Sequence, residues 1–467
     1  MPQDLERDAV EWWLTHERDA RSMAWFKGSR YKQEDLQLKQ QPSLTMTLPD
    51  DREMTTITVD PNRIYQDILG IGTSIEETTV HNLLKMSEEN RDQLLRELLD
   101  PINGIGISLL RVTIGSSDFT AQPFYSYNDM PPGQTDEALS NFSIQRDIDL
   151  GIIAILQKMK EIRPDIAFFA SPWSPPGWMK TSGSMVRGRV KDEYLPALAR
   201  YYVKFIQSYE ELGIPIYAMT LQNEPLLEID YPSTWMPWEQ EAELAKLLRA
   251  ELDKNQLSHV KLWVFDHNPA DLMDYAAMIL RDNDKGAYDA IEGTAVHDYD
   301  GDLELMSQLR RMYPDKSIYL TERAVWGTEG ADRIAQYFRN WARSYNSWVL
   351  MLDSEIATHQ WVGTPDPTPI IQNALDPNAY WRTPDYYFMG HYSKFARPGY
   401  RRIESSYGSA DAVTTVAFMN EEQTTIVLVA TNQTEQTQVF KIMADGIQIA
   451  ATLAAKSVAT YRWNRRR

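Results

Sequence analysis

Short runs of apolar residues alternate with longer helical segments through the middle of the chain. The runs cover 68–72, 108–113, 167–173, 217–225, 261–268, 293–299, 317–322 and 347–352, and helices are expected near 78–99, 146–162, 192–212 and 237–254. Strands that alternate with helices are typical of a parallel sheet. Eight such units predict an α/β fold of the closed (β/α)8 TIM-barrel kind. An open doubly wound sheet is the alternative, but no glycine-rich phosphate loop opens any of the helices.

The two ends of the chain carry a different pattern. Residues 43–60 partly alternate apolar and polar positions, and 401–463 contain short β-branched runs separated by turn residues. This spacing is typical of an antiparallel β-sandwich. We therefore predict a sandwich built from both chain ends, 43–66 plus 398–467, attached to a catalytic barrel over 67–397. Residues 1–42 are expected to form a helical extension, with 5–26 as a helix that is apolar on one side.

Charge and composition exclude several classes of function. The 467 residues carry a formal net charge of −19, which repels phosphate backbones and anionic lipid surfaces, so we expect a neutral substrate and no nucleic-acid partner. The absence of cysteine excludes disulfides, thiolate catalysis and iron–sulfur clusters. With seven histidines and no HExxH motif, we predict neither a metal site nor a cofactor.

The amino-terminal residues bear on location. Acidic residues stand where a signal peptide needs a basic region, and no apolar stretch follows them. No run of about 20 apolar residues occurs that could insert stably in a membrane. The expectation is a cytoplasmic protein, or a secreted one if a leader has been removed.

The predicted strand ends present a ring of polar and aromatic side chains. In a TIM barrel the active residues lie where the strands end and the following loops begin. Charged groups there cost desolvation free energy unless they are paired or used. In chain order the ring comprises Glu76, Glu77, Arg111, Asp118, Trp173, Asn223, Glu224, Asp266, His267, Asn268, His297, Asp298, Tyr299, Glu322, Asp353, His359 and Trp361.

Two carboxylates in this ring stand out, Glu224 in LQNEP and Glu322 in YLTE. A salt bridge or helix cap is the common role of one glutamate, but strands four and seven face each other across the barrel mouth. Glycoside hydrolysis with retention needs one carboxylic acid and one nucleophilic carboxylate about 5–5.5 Å apart. Glu224, with a pKa raised partly by Glu322, is expected as the acid. Arg111 is expected to keep Glu322 ionised, and Asn223 to donate to a sugar hydroxyl.

Aromatic residues supply a second signal for a sugar site. Sugar C–H faces stack on aromatic rings, although core packing is the default for a single tryptophan, so about half of these residues are expected to be structural. The candidates in predicted loops or at strand ends are Trp173, Trp178, Trp235, Trp238, Tyr299, Trp326, Trp348 and Trp361.

At this level of detail the sequence resembles glycoside hydrolase family 30, which includes lysosomal-type glucosylceramidase and bacterial β-glucosidases. The similarity runs in family order over nearly the whole chain after residue 55. The stretches that carry it are LGIGTSIEET (69–78), GIGISLLRVTIGSSDFT (104–120), ASPWSPPGWMKTSGSM (170–185), LQNEPL (221–226), HDY (297–299), LTE (320–322) and YYFMGHYSKFARPGYRRIESS (386–406).

The resemblance implies a barrel with a sandwich formed by both chain ends, Glu224 as acid/base and Glu322 as nucleophile. It also implies that the sugar pocket includes Trp173, Asn223, His297, Tyr299 and Trp348. Asp118, soon after strand two, is a further substrate-binding candidate by its position. The chain departs from the family pattern at Glu76–Glu77, where the family often has Thr-Asp and the Asp holds distal glucose hydroxyls, so Glu77 is expected to do the same or to shift the sugar. Val349 replaces the family's asparagine after the strand-eight tryptophan, and the loop that follows also differs.

The leading functional prediction is a retaining exo-β-glycosidase of β-glucosidase or glucosylceramidase type, acting on a β-glucoside or a glycolipid. β-Xylosidase and endo-β-1,6-glucanase are alternatives that the resemblance leaves open. A carbohydrate-binding barrel without activity is an alternative of another class, opposed by the presence of both carboxylates. A metal-dependent hydrolase on the same fold is a third.

Overall fold

A computed structural model describes residues 9–17, 38–50, 53–281, 286–355 and 368–465. Three strands come first, namely β1 (Ala9–His16), β2 (Lys39–Thr47) and β3 (Thr55–Asp67). The barrel strands are β4 (Gly70–Ile75), β5 (Leu109–Ile114), β6 (Ala167–Pro172), β7 (Ile216–Thr220), β8 (Lys261–His267), β9 (Gly293–His297), β10 (Ser317–Glu322) and β11 (Ala342–Ser347). A small sheet of β12 (Met351–Asp353), β13 (Ile370–Gln372) and β14 (Tyr380–Arg382) follows. The last six strands are β15 (Arg401–Ser405), β16 (Thr414–Met419), β17 (Thr425–Asn432), β18 (Gln438–Ala444), β19 (Ile447–Leu453) and β20 (Ser457–Asn464).

Helices fill the connections between the barrel strands. They are α1 (Glu77–Leu84), α2 (Glu88–Leu99), α3 (Gln145–Asp149), α4 (Ile152–Ile162), α5 (Leu195–Glu211), α6 (Trp238–Lys254), α7 (Ala276–Leu280), α8 (Gly286–Ala290), α9 (Glu304–Met312), α10 (Gly327–Arg339) and α11 (Pro384–Ser393). Short 3-10 turns occur at Gly177–Met179, Asp192–Tyr194 and Pro269–Asp271. Within the described ranges, every helix is too short or too polar to cross a bilayer.

The eight barrel strands pair in parallel and close in the order β4 to β11. All six residues of β4 and of β5 are buried, as expected for strands covered on both faces. Gly72 allows β4 to approach β5 closely, because a Cβ at this position would stand 1.7 Å from the carbonyl oxygen of Leu109. The predicted (β/α)8 barrel is therefore confirmed.

The second domain joins both chain ends, as predicted. Its nine strands form one closed ring of hydrogen-bonded neighbours around an apolar core that includes Ile57, Phe440 and Tyr461. The pairing is antiparallel, as predicted, with one exception, because β3 and β18 run parallel. β2 also begins at Lys39, ahead of the predicted boundary at residue 43.

The predicted helix over residues 5–26 was wrong where the structure describes it. Residues Ala9–His16 form β1, which pairs with β20 on one side and β2 on the other. Val10 and Trp13 are buried in this arrangement. Cross-strand pairing and burial outweigh a local helical preference here. The rest of the predicted helix, residues 5–8 and 18–26, lies outside the described residues, as do His359 and Trp361.

The eighth barrel strand was also misplaced. The apolar run 347–352 predicted it, but β11 is Ala342–Ser347, and Met351–Asp353 belong to the small sheet instead. The sequence of β11, ARSYNS, contains the buried polar residues Ser344 and Asn346. Their side chains donate to backbone carbonyls of the neighbouring strands, so this strand can be polar although it is buried. Trp348 consequently lies just after the strand, where it faces the barrel mouth.

Candidate active site

An apolar layer fills the interior of the barrel below the site. It is formed by Leu109, Phe169, Ala218, Trp263, Ala295 and Tyr319, contributed by six successive strands from β5 to β10. Side chains two residues apart along a strand point to the same side. In five of these strands the residue two positions further on therefore also points inward. These residues form a polar layer above the apolar one, and they are Arg111, Ser171, Thr220, His297 and Thr321.

β8 departs from this spacing. The register between β8 and β9 shifts between Phe265 and His267, and both Phe265 (φ 83°) and Asp266 (φ 50°) adopt left-handed backbone conformations. This bulge turns Asp266 inward, three residues after Trp263 rather than two. Glu241 of α6 supports it, because its two carboxylate oxygens accept from the Phe265 N–H at 3.1 and 3.2 Å.

Asp266 lies at the centre of the polar layer and is fully buried. Burial alone raises its pKa, but the charges of Arg111 and His297 hold the pKa of Asp266 far below its ordinary value. It is therefore an anion that orders its neighbours. Its oxygens accept from Arg111 Nη2 (2.8 Å), His297 Nε2 (3.0 Å), Thr220 Oγ1 (2.7 Å), Thr321 Oγ1 (2.6 Å) and Ser171 Oγ (3.2 Å).

Arg111 connects this anion to Glu322 and Asn223. Its Nη1 donates to Glu322 Oε2, and its Nη2 donates to Asn223 Oδ1 at 2.8 Å. A guanidinium only donates hydrogen bonds, so the Asn223 oxygen faces Arg111 and its NH2 group is left to donate elsewhere. The predicted roles of Arg111 beside Glu322 and of Asn223 as a donor fit this geometry.

Glu224 and Glu322 meet at the barrel mouth. One carboxylate oxygen of each, together with a ring nitrogen of His297, lies within 4.8 Å of the other two atoms. His297 Nδ1 is 3.2 Å from Glu224 Oε1 and 3.7 Å from Glu322 Oε1. The hydroxyl of Tyr299 donates to Glu322 Oε1 at 2.8 Å. His297 and Tyr299 therefore hold both carboxylates from one side.

The protonation of this group differs from the expectation. Burial disfavours the charged imidazole, but the carboxylates of Glu322 and Asp266 outweigh it and raise the pKa of His297 to about 10. Burial also raises the pKa of Glu224, yet the hydrogen bond and charge of His297 leave that pKa below its ordinary value. The predicted raised pKa of Glu224 was thus wrong, because the charged His297 imidazole lies 3.2 Å from its carboxylate.

A cavity of about 170 Å3 lies above the two carboxylates. Trp173 and Trp348 stack in its wall with ring centroids 5.2 Å apart, and Phe119 meets Trp348 edge-on at 5.5 Å. Asp118 contributes a buried oxygen that has no hydrogen-bond partner in the described part of the chain. Burial and the charge of Glu322 raise the pKa of Asp118 well above its ordinary value. The cavity is lined by Asp118, Phe119, Trp173, Asn223, Glu224, Tyr231, Tyr299, Glu322 and Trp348.

Lys180 fixes the loop that carries Trp173. This buried ammonium donates to Ser174 Oγ (3.0 Å) and to the carbonyls of Met185 (2.9 Å) and Ser233 (2.5 Å). The loop after β6 is thereby tied to the loop after β7. The lysine of SPPGWMK thus has a structural role in the site's wall.

Most of the predicted site residues meet at this cavity, and Glu77 does not. Glu77 accepts from the Ala121 N–H and ties α1 to the loop after β5. Its neighbour Glu76 caps α1 by accepting from the Thr79 N–H at 3.2 Å. The two glutamates at the end of β4 therefore bond to the protein's own backbone, whereas Asp118 lines the cavity.

Several residues that organise the site were missed or underrated from the sequence. Asp266 was visible at a strand end, but nothing indicated that a bulge would aim it at Arg111. Thr220 ends β7 and Thr321 precedes the last residue of β10, and both could have been found from the two-residue alternation. Tyr231 lines the cavity from the loop after β7 and carried no sequence signal.

Glu224, His297 and Glu322 also form the one group of described residues with metal-ligand spacing. A cation would have to displace the proton on the His297 nitrogen that faces the carboxylates. It would also adjoin the Arg111 guanidinium, which already contacts Glu322. This donor set is thus suited to holding a proton rather than a divalent ion.

Comparison with known proteins identifies the family of the chain. The Glycosyl hydrolase family 30 TIM-barrel domain model matches residues 68–396, and the family's beta sandwich domain model matches 399–461. Endo-1,6-beta-D-glucanase neg1 of Aspergillus fumigatus is 29% identical over 432 residues, 85% of each chain. Lysosomal acid glucosylceramidase of Mus musculus is 28% identical over 439 residues, 88% of this chain and 83% of its own.

A solved structure, the endo-beta1,6-glucanase BT3312, superposes with a TM-score of 0.85 at 27% identity, covering 98% of this chain and all of its own. The matched barrel contains both carboxylates and every other residue that lines the cavity. The chain belongs to glycoside hydrolase family 30.

Proposed function

We propose that this glycoside hydrolase cleaves β-glucosidic bonds with retention of configuration, with Glu322 as nucleophile and Glu224 as acid/base. The observation that carries the proposal is the approach of their carboxylate oxygens to within 4.8 Å. Double displacement uses carboxyl groups about 5–5.5 Å apart, whereas inversion needs about 6.5–9.5 Å to admit a water molecule. The distance supports the first mechanism.

In the first step, a carboxylate oxygen of Glu322 attacks the anomeric carbon while the bond to the leaving oxygen breaks. Glu224 protonates that oxygen and draws a proton from His297 Nδ1, 3.2 Å away. The charge of Glu322 is the foremost of the causes that raise the pKa of His297. Ester formation removes this charge, so the imidazole releases its proton as the leaving group needs one.

In the second step, ionised Glu224 takes a proton from water and the water oxygen attacks the anomeric carbon. The ester bond breaks and Glu322 regains its negative charge. His297 then takes the proton back from Glu224, which restores the starting state. Asn223, oriented by Arg111, donates to the 2-hydroxyl of the sugar, a contact that strengthens in the transition state.

We propose β-1,6-linked gluco-oligosaccharides as the substrate class, with glucosylceramide as the second candidate. The names of the relatives above support a glucosyl unit, and both substrate classes appear among them. The small cavity walled by Trp173 and Trp348 suits a single sugar ring, which favours exo action. A non-catalytic barrel is disfavoured because Glu224 and Glu322 bring their carboxylate oxygens within 4.8 Å of each other.

Hydrolysis of p-nitrophenyl β-glucoside, p-nitrophenyl β-xyloside, gentio-oligosaccharides and glucosylceramide tests the substrate. We expect turnover of the glucosides, and glucose as the first product from gentio-oligosaccharides, formed as the β-anomer in early proton NMR spectra. Preference for the xyloside would contradict the glucose assignment. Release of internal oligosaccharides would contradict exo action, and an initial α-anomer would contradict retention.

A further inference from the structure

We propose that the crevice between the loops after β9 and β10 binds the sugar of the leaving group, with Trp326 as its stacking platform. This inference rests on the proposed hydrolysis of a β-glucoside. The crevice has a volume of about 450 Å3, within the range of about 300–1,000 Å3 typical of ligand sites. Its walls include Tyr299, Asp300, Arg323, Trp326 and Glu329.

The crevice adjoins the catalytic cavity at Tyr299. Tyr299 lines both spaces, and its hydroxyl donates to the nucleophile Glu322. The stacked rings of Trp173 and Trp348 line the catalytic cavity and not the crevice. A glucosyl ring bound against those two rings can therefore extend its leaving group past Tyr299, which both spaces share, into the crevice.

The lining suits a carbohydrate rather than a lipid chain. Trp326 and Tyr299 are each 43% exposed, which leaves ring faces for the C–H face of a sugar. Arg323 stacks over the Tyr299 ring at 4.7 Å and brings a hydrogen-bond donor to the edge of the crevice. Asp300 and Glu329 add carboxylate acceptors for hydroxyl groups. An alkyl chain would have to desolvate these charged groups without replacing their hydrogen bonds.

One wall of the crevice is held rigidly. Arg333 donates to both oxygens of Asp298 at 2.7 Å, and the Tyr337 hydroxyl donates to the same carboxylate at 2.6 Å. Asp298, Arg333 and Tyr337 thus satisfy one another's hydrogen-bonding groups and support the loop residues of the crevice from behind. The crevice is therefore a preformed feature of the barrel rim.

Trp326 itself is fixed at the start of α10. Its carbonyl accepts from the Gly330 N–H at 2.8 Å. The next two residues donate hydrogen bonds to side chains from other parts of the chain. The Gly327 N–H donates to Asp385 at 3.2 Å, and the Thr328 N–H donates to Glu17 at 2.6 Å. A stacking ring on so constrained a backbone costs little conformational entropy when a sugar binds.

The test compares gentiotriose with β-glucosyl fluoride, whose leaving group is too small to enter the crevice. For Trp326→Ala we expect kcat/KM on gentiotriose to fall by about tenfold or more, and kcat/KM on the fluoride to stay within about twofold. Trp326→Phe should recover much of the loss. Trp235→Ala is the matched control, because Trp235 is 39% exposed on another loop and lines neither space.

Equal losses on both substrates, an unchanged rate on gentiotriose, or an equal loss in Trp235→Ala would overturn the inference. So would a wild-type enzyme that hydrolyses the fluoride but leaves gentiotriose intact. Failure of the wild type on both substrates would instead refute the proposed β-glucoside hydrolysis, so the two failures are distinguishable.

Discussion

Nδ1 of His297 lies 3.2 Å from Oε1 of Glu224, while the other ring nitrogen is held 3.0 Å from Asp266. The carboxylate that we propose as acid/base thus shares a proton with an imidazole whose orientation is fixed by Asp266. Because Glu322 also faces this imidazole, the charge of Glu322 and the location of the proton are coupled.

This coupling predicts the effect of His297→Gln. Without the imidazole, Glu224 holds the catalytic proton alone, and a carboxyl group loses its proton at a lower pH than a histidine whose pKa is about 10. The basic limb of the pH profile of kcat/KM should move to lower pH, and kcat should fall by about 100-fold or more. A variant whose kcat fell while the basic limb stayed in place would argue against the shared proton.

Glu241 is predicted to act on catalysis from outside the cavity. Its carboxylate accepts from the Phe265 N–H, and the carbonyl of the next residue, Asp266, accepts from the Glu224 N–H at 3.1 Å. Glu241→Leu leaves the Phe265 N–H unpaired, so unfolding free energy should fall by about 1–3 kcal/mol and kcat should fall as well.

Glu241→Gln keeps one carbonyl acceptor and serves as the matched control. Urea denaturation and steady-state kinetics on both variants measure the two effects. If Glu241→Leu lost stability but retained the wild-type kcat, the bulge would be a folding element without influence on Glu224.

His391 should make the protein less stable in acid. It is fully buried between Thr460 Oγ1 (2.8 Å) and Thr15 Oγ1 (2.9 Å), and burial lowers its pKa to about 3. Below its unfolded pKa of about 6.5 the unfolded chain binds a proton that the folded chain does not. This contribution to stability is present at neutral pH and is lost as the pH falls.

From pH 7 to pH 5 the loss attributable to His391 should be about 2 kcal/mol. His391→Gln can pair with both threonine hydroxyls and does not titrate, so its melting temperature should fall less than that of the wild type over this interval. If the melting temperatures of the two proteins fell equally over this pH interval, His391 would not be responsible for the loss of stability in acid.

Metal removal should have no effect on activity. Glu224, His297 and Glu322 have the spacing of metal ligands. His297 holds a proton there, and the guanidinium of Arg111 contacts Glu322. Hydrolysis of p-nitrophenyl β-glucoside should proceed at the same rate before and after dialysis against EDTA. Activity that disappeared and returned with a divalent cation would favour the metal-dependent alternative.

The barrel was predictable because buried parallel strands leave an apolar signature, as the SIYLTE of β10 illustrates. The eighth strand was misplaced because ARSYNS lacks that signature, while the following SWVLML carries it. β1 was misassigned because its partners β2 and β20 lie far away in sequence. A local pattern contains little information about such pairing.

The site likewise has features that the local sequence could predict and features that it could not. Glu224 and Glu322 could be singled out because Glu224 follows a recognisable strand and Glu322 ends one, and the structure brings the two carboxylates together. The inward turn of Asp266 depends on a bulge supported from α6, and the lowered pKa of Glu224 depends on the three-dimensional position of His297. Neither follows from spacing along the chain.

The central claim is that Glu322 bonds covalently to the sugar while Glu224 serves as acid/base. Incubation with an activated 2-deoxy-2-fluoro-β-glucoside, followed by peptide mapping, tests it most directly because the fluorine slows turnover of the glycosyl-enzyme. We predict one added 2-fluoroglucosyl group, located on the peptide that contains Glu322, and no label in Glu322→Gln. A label on Glu224 or on any other residue, or none on an enzyme that hydrolyses β-glucosides, would contradict it.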